Sequence, residues 1–166
     1  MSGCCGGTRT VVVLTEYLTV DGDTCDRCGD TRDAARRAVS DAAGLLDAAG
    51  VEIELLEREL GAERLGDSNR VLVNGRPAEE WLGGSASLSD CPSCAELIGE
   101  PACCREVEVG GVRTEAVSRE IVLDAILAAA GLAPVGVPGA ACCGDAGTSP
   151  TRSSLAVTIV TGAGCG

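Results

Sequence analysis

Histidine, lysine and phenylalanine are all absent from this chain of 166 residues. Without imidazole there is no Ser-His-Asp or Cys-His nucleophilic site and no mixed Cys/His zinc site. Aromatic residues make up 1% of the chain and are limited to Tyr17 and Trp81. The core must then come from Val, Leu, Ile and Ala, which bury less area per residue than aromatic rings. Such a core has little reserve, so a metal or disulfide staple matters more than usual. Positive charge is scarce as well: thirteen Arg against 25 Asp and Glu leave a net charge of −12 and a pI near 4.3. That balance argues against nucleic acid and anionic membranes as partners. No run approaches the ~18 apolar residues of a membrane-spanning helix. The opening Met-Ser-Gly-Cys-Cys-Gly-Gly has neither the basic region nor the apolar run of a secretion signal. The expected location is cytoplasmic, where thiols stay reduced and paired cysteines read as metal ligands or redox groups.

Sulfur is what the chain has in plenty. Of its eleven cysteines, ten are paired: Cys4-Cys5, Cys103-Cys104 and Cys142-Cys143 are adjacent, while Cys25/Cys28 and Cys91/Cys94 are spaced as CxxC. Cys165 alone has no neighbour of its kind.

The length fits one domain. Thr10–Leu18 opens with a β-branched apolar run and reads as a buried strand. After a polar loop with the first CxxC, apolar residues recur at helical spacing over Thr31–Ala49, from Ala35 to Leu46, and Gly50 ends the helix. Val51–Leu56 alternates and reads as a half-buried strand, completing a βαβ unit with parallel strands. Arg70–Val73 followed by Asn74-Gly75 predicts a strand entering a type I′ hairpin. Trp81 is expected in the core, on a short turn over Glu79–Leu82. Gly83–Cys104 has little periodicity and reads as a cysteine-bearing insertion. Arg105–Val109 and Val112–Val117 around Gly110-Gly111 suggest a second hairpin. Ser118 is an N-cap for a helix over Arg119–Ala130, which Gly131 terminates. From Leu132 onward Pro, Gly and Ser predominate and mark a tail, with one short strand at Leu155–Val160.

Cys25-x-x-Cys28 lies between the first strand and the first helix, where the helix dipole favours a thiolate. In a cytosolic protein this placement reads as a redox motif, although structural zinc sites use the same spacing. Cys91-x-x-Cys94 either joins Cys25 and Cys28 in one Cys4 site, which requires the insertion to fold back over the first helix, or clusters locally with Cys103 and Cys104. Adjacent cysteines have Cα atoms ~3.8 Å apart, below the usual disulfide range. They are better suited to presenting two soft sulfurs to one thiophilic ion. Cys4, Cys5, Cys142 and Cys143, set among glycines, are read as ion-capturing pairs.

Val20-Asp21-Gly22-Asp23-Thr24-Cys25-Asp26-Arg27-Cys28, the stretch from Ser68-Asn69-Arg70 to Asn74-Gly75-Arg76-Pro77, and Cys91-Pro92-Ser93-Cys94 followed by Cys103 carry a further signal. Across residues 10–131 they resemble a prokaryotic thioredoxin-like family known as domain of unknown function 2703. The resemblance implies a thioredoxin-like fold and a function in thiol chemistry. No Trp precedes Cys25, and Ser68-Asn69-Arg70 has no Pro where thioredoxins place a cis-Pro, which speaks against a general disulfide reductase. The adjacent pairs are similar in logic to the arsenic metallochaperones, which carry As(III) on paired thiols.

The sequence thus predicts an α/β protein with a thioredoxin-like βαβ…ββα body at 10–131 and a cysteine-bearing insertion. Flexible cysteine-bearing extensions are expected at 1–9 and 132–166. The expected function is binding or transfer of a soft metal or metalloid ion (As, Hg, Cu or Zn), with the ion and a thiol protein as partners. Cys91, Cys94, Cys103, Cys104, Cys4, Cys5, Cys142 and Cys143 are the candidate ligands. One alternative is a dithiol–disulfide oxidoreductase in which Cys25 attacks and Cys28 resolves. The other is a structural zinc protein without turnover.

Overall fold

A computed structural model describes residues 8–132. Cys4, Cys5, Cys142, Cys143 and Cys165, and the strand expected at Leu155–Val160, lie outside these residues. The chain is α/β. Strand β1 (Arg9–Leu18) runs into helix α1 (Asp26–Ala48), and β2 (Val51–Leu60) follows. A 3-10 segment at Ala62–Asp67 leads to β3 (Arg70–Val73), β4 (Arg76–Pro77) and the short helix α2 (Ala78–Trp81). Then come β5 (Ser85–Asp90), α3 (Pro92–Ile98), β6 (Cys103–Val109), β7 (Val112–Thr114) and α4 (Arg119–Ala130).

The first sheet has the order β2-β1-β3-β4, with β2 parallel to β1 and β3 antiparallel to it. The predicted βαβ unit is therefore present, and the Asn74-Gly75 hairpin has positive φ at both residues (50° and 79°), as a type I′ turn demands. Gly110-Gly111 does the same between β6 and β7 (60° and 79°). Glu16 on β1 is buried, and Arg58 of β2 and Arg70 of β3 stand opposite it in register and ion-pair with it. This triplet penalises any slip of either neighbour.

The main core lies between this sheet and two helices. Val11, Val13, Val51, Val71 and Val73 face Ala35, Ala38, Ala42 and Leu46 of α1 and Ile121, Val122, Ala125 and Ile126 of α4. Alanines at spacings of three and four let α1 lie close on the sheet. Ser118 caps α4 by accepting the Ile121 N–H at 3.3 Å. Trp81, expected in the core, packs at its edge, where its Nε1–H donates to the Val73 carbonyl at 3.0 Å.

Two expectations are corrected. Helix α1 begins at Asp26 rather than Thr31, because the CxxC itself forms its first turn. The segment 83–104 is ordered: β5 and β6 pair antiparallel from Ser85↔Glu108 to Asp90↔Cys103, and α3 spans the connection between them. The second sheet, β5-β6-β7, is the result.

Candidate metal centre

Each CxxC motif opens a helix in the same way. Cys25 is the N-cap of α1, with extended backbone (φ −75°, ψ 160°), and Cys28 stands three residues on in the first turn. Cys91 is the N-cap of α3, Pro92 is its first helical residue, and Cys94 closes the first turn. The cap carbonyls accept the first helical bonds, Gly29 N–H to Cys25 O at 2.9 Å and Ala95 N–H to Cys91 O at 3.0 Å. Pro at that first position loses no bond, since its N–H would be unsatisfied anyway. Cys91 N–H also donates to Ala102 O at 2.9 Å, which pins the α3 excursion to the hairpin that carries it. Cys104 arrives on β6, and strand alternation turns its side chain inward while Cys103 faces the other way.

These elements assemble a second buried cluster, separate from the aliphatic core. Its fully buried members are Tyr17, Leu18, Ala102 and five cysteines: Cys25, Cys28, Cys91, Cys94 and Cys104. The sulfurs of Cys25, Cys91, Cys94 and Cys104 all lie within 4.8 Å of one another. A tetrahedral ion bonded at ~2.3 Å holds its sulfurs about 3.8 Å apart, so the group has the size of a four-sulfur site. Cys94 and Cys104 are 2.9 Å apart between Sγ atoms. All four thiols are at most 1% exposed. This buried cysteine group can hold a metal ion.

The electrostatics of the group single out Cys25. Sulfur contacts from Cys104, Cys28 and Cys94, in that order, push its thiol far below the ordinary range. Three neighbours are raised: Cys28 by its contact with Cys25 and by burial, Cys94 by Cys104 and Cys25, and Cys104 by Cys25. Among these thiols Cys25 is the one whose ionised form its neighbours favour. Cys28 lies just behind, its Sγ accepting the Leu18 N–H at 3.4 Å.

The insertion is held against α1 by Arg27. Its guanidinium donates to Ser89 Oγ at 2.8 Å, to the Asp90 carbonyl at 2.6 Å and to Glu115 Oε1 at 2.8 Å. Asn69 braces the other side. Its amide donates to the carbonyls of Arg105 and Glu115, and its Oδ1 accepts from Thr31 Oγ1 at 2.6 Å. Each brace ends one residue from a cluster cysteine, at Asp90 before Cys91 and at Arg105 after Cys104. The sequence pattern gives Thr31 and Asn69 no role and sets Arg27 inside the first CxxC, where its charge favours a thiolate. The signals were an Arg inside a CxxC and an Asn where the chain enters a strand.

The candidate ligands are thus regrouped. The structure joins Cys25 to Cys91, Cys94 and Cys104, and it sets Cys28 next to that group. Cys103, expected in the local cluster, is half-buried on the opposite face of β6, with its Sγ 3.8 Å from Asp90 Oδ1. No helix of the described residues is long and apolar enough to cross a membrane.

Comparison with known proteins covers this same region. An uncharacterised protein of Archaeoglobus fulgidus is 34% identical over 110 residues, which is 64% of this chain and 77% of the relative. No solved structure matches. A family model matches residues 11–126, a span that contains all five buried cysteines. The chain belongs to the family described as Domain of unknown function (DUF2703).

Proposed function

We propose that this protein binds one soft metal ion, zinc(II) foremost, as a tetrathiolate between its two CxxC helices, and passes it on by thiol exchange. The observation that carries the reading is the convergence of four buried sulfurs, from three separate elements, within 4.8 Å. Four thiolates suit a tetrahedral ion without geometric preference of its own, and a fully sulfur-ligated site leaves no open position for a catalytic water. Binding or transfer is therefore favoured over metal-assisted hydrolysis. As(III) takes three sulfurs and leaves the fourth unused, so it ranks below zinc here. The βαβ unit followed by a ββ hairpin and α4, with a CxxC at the head of α1, supports a thioredoxin-like reading of the body. Release to a partner thiol is supported by an open cleft of about 250 Å³ that reaches Cys25.

Native mass spectrometry of the reduced full-length chain, with zinc(II) and As(III) added separately, tests this. One zinc per chain is expected, retained in Cys103→Ser and lost in Cys104→Ser and Cys25→Ser. A wild-type protein that retains no ion, with its buried thiols titrating freely, overturns the reading.

A further inference from the structure

Cys28 is the one buried thiol of the cluster that the four-sulfur group does not use. It is fully enclosed, stands one turn from Cys25 on the same helix, and makes a sulfur contact with Cys25. Cys91 has no such reserve, because its own CxxC partner, Cys94, belongs to the four-sulfur group. Access is also unequal. Cys25, itself only 1% exposed, lines the cleft formed with Thr24, Asp26, Ser93, Glu96 and Leu97, whereas Cys94 and Cys104 have no exposed surface. Cys91 borders a separate apolar depression with Pro92, Pro101 and Ala102.

Resting on the four-sulfur reading above, we infer that the site couples dithiol–disulfide exchange to ion release, with Cys25 shared between the ion and Cys28. The substrate is a small disulfide entering the cleft. The Cys25 thiolate attacks one sulfur of that disulfide, forms a mixed disulfide and expels one thiolate. Cys28 gives up its proton to that thiolate and attacks the Cys25 sulfur, expelling the second thiolate, which is protonated by water. Two cysteines are oxidised, one external disulfide is reduced to two thiols, and two electrons pass between them. The ion is left with Cys91, Cys94 and Cys104 and departs to an acceptor. Asp26 and Glu96 at the mouth favour a cationic disulfide over an anionic one.

The test uses the full chain loaded with zinc(II), treated anaerobically with cystamine or with glutathione disulfide in the presence of a chromogenic zinc chelator. Zinc stoichiometry is measured first, and disulfides are mapped afterwards by peptide mass spectrometry. Zinc release with one Cys25–Cys28 disulfide is expected, at least about tenfold faster with cystamine at low salt. Cys28→Ser and Cys28→Ala are expected to load one zinc and keep it in a thiol/disulfide buffer that empties the wild type. Release from these variants equal to wild type, or a wild-type disulfide mapped to Cys94 and Cys104, overturns the inference and leaves the zinc reading standing. A wild type that never loads zinc overturns both. Should neither variant load, the wild-type disulfide map still decides.

Discussion

Arg27 stands between the two cysteines of the first CxxC, yet its guanidinium acts at the second. Burying a guanidinium is tolerable only when its donors are met, and here a hydroxyl, a carbonyl and a carboxylate meet them. Lys has no planar fork and cannot replace all three contacts. We expect Arg27→Ala to weaken zinc affinity by about 10–100-fold, as loss of supporting contacts around a metal site commonly does. Arg27→Lys should fall between, and a competition titration against a zinc chelator measures both. Unchanged affinity in Arg27→Ala would remove it as a positioning residue. Asn69 is the parallel case on the other flank. It holds a left-handed backbone (φ 57°) and is fully buried. Removing its side chain takes a donor from two carbonyls and the acceptor of the Thr31 hydroxyl, which keeps only the Val117 N–H, at about 1–3 kcal/mol for each group left unsatisfied. Asn69→Ala should therefore lower stability in urea by at least about 2 kcal/mol, and a loss below about 0.5 kcal/mol would show that water replaces the amide. Neither role was legible beforehand, because a polar side chain's partner 36 to 88 positions away leaves no trace in local spacing.

At the scale of elements, legibility followed hydrophobic pattern. Helix α4 announces itself by a Ser cap, an apolar face and a terminal Gly, and β1 by its valine run. The Asn74-Gly75 hairpin is written in the one dipeptide best suited to two positive φ values. The start of α1 is not signalled in the sequence, because Cys25 caps it without the Ser, Thr, Asp or Asn that normally marks a cap; no side-chain cap bond forms at Cys25 or Cys91. Strand β5 escaped notice for a different reason. Ser85-Ala-Ser-Leu-Ser-Asp90 is largely exposed and has no buried face to alternate with, so only its pairing with β6 makes it a strand. Its entry is set by Gly84. A Cβ there would meet the Glu108 carbonyl at 2.4 Å and Val109 Cγ2 at 2.8 Å. Because a main-chain oxygen cannot move aside cheaply, Gly84→Ala should displace β5 from β6, at about 1–3 kcal/mol. Hydrogen exchange across β5 and β6 reads this directly, and zinc affinity should drop with it, since β5 ends at Asp90, next to Cys91. Protection equal to wild type would show that the strand pair absorbs the methyl group.

For the whole molecule, the division into two cores decides what an ion contributes. The aliphatic core between the first sheet and α1 and α4 needs no metal, and the sequence showed it through ordinary periodicity. Among the described residues, the sulfur core has five cysteines among its eight buried members, and the aliphatic side chains around it, Val20, Leu65, Ala95, Leu97 and Ile98, are only partly buried. An ion that binds the folded state alone stabilises it by RT ln(1 + [L]/Kd), about 2.7 kcal/mol at a free concentration of 100 Kd. It also competes with protons for the four sulfurs, so uptake releases protons and the gain weakens as pH falls. Zinc should therefore raise the thermal midpoint of the reduced chain near pH 7.5 and do so much less near pH 5. Calorimetry with and without a chelator measures both. Under chelation, amide protection should fall in α3 and at the cysteine ends of β5 and β6, while β1, β3 and α4 keep theirs. If the chelator instead leaves α3 fully protected, the sulfur core stands on its thiols alone, and zinc is cargo rather than a structural staple. If the midpoint shift is the same at both pH values, the ion is not bound through thiolates.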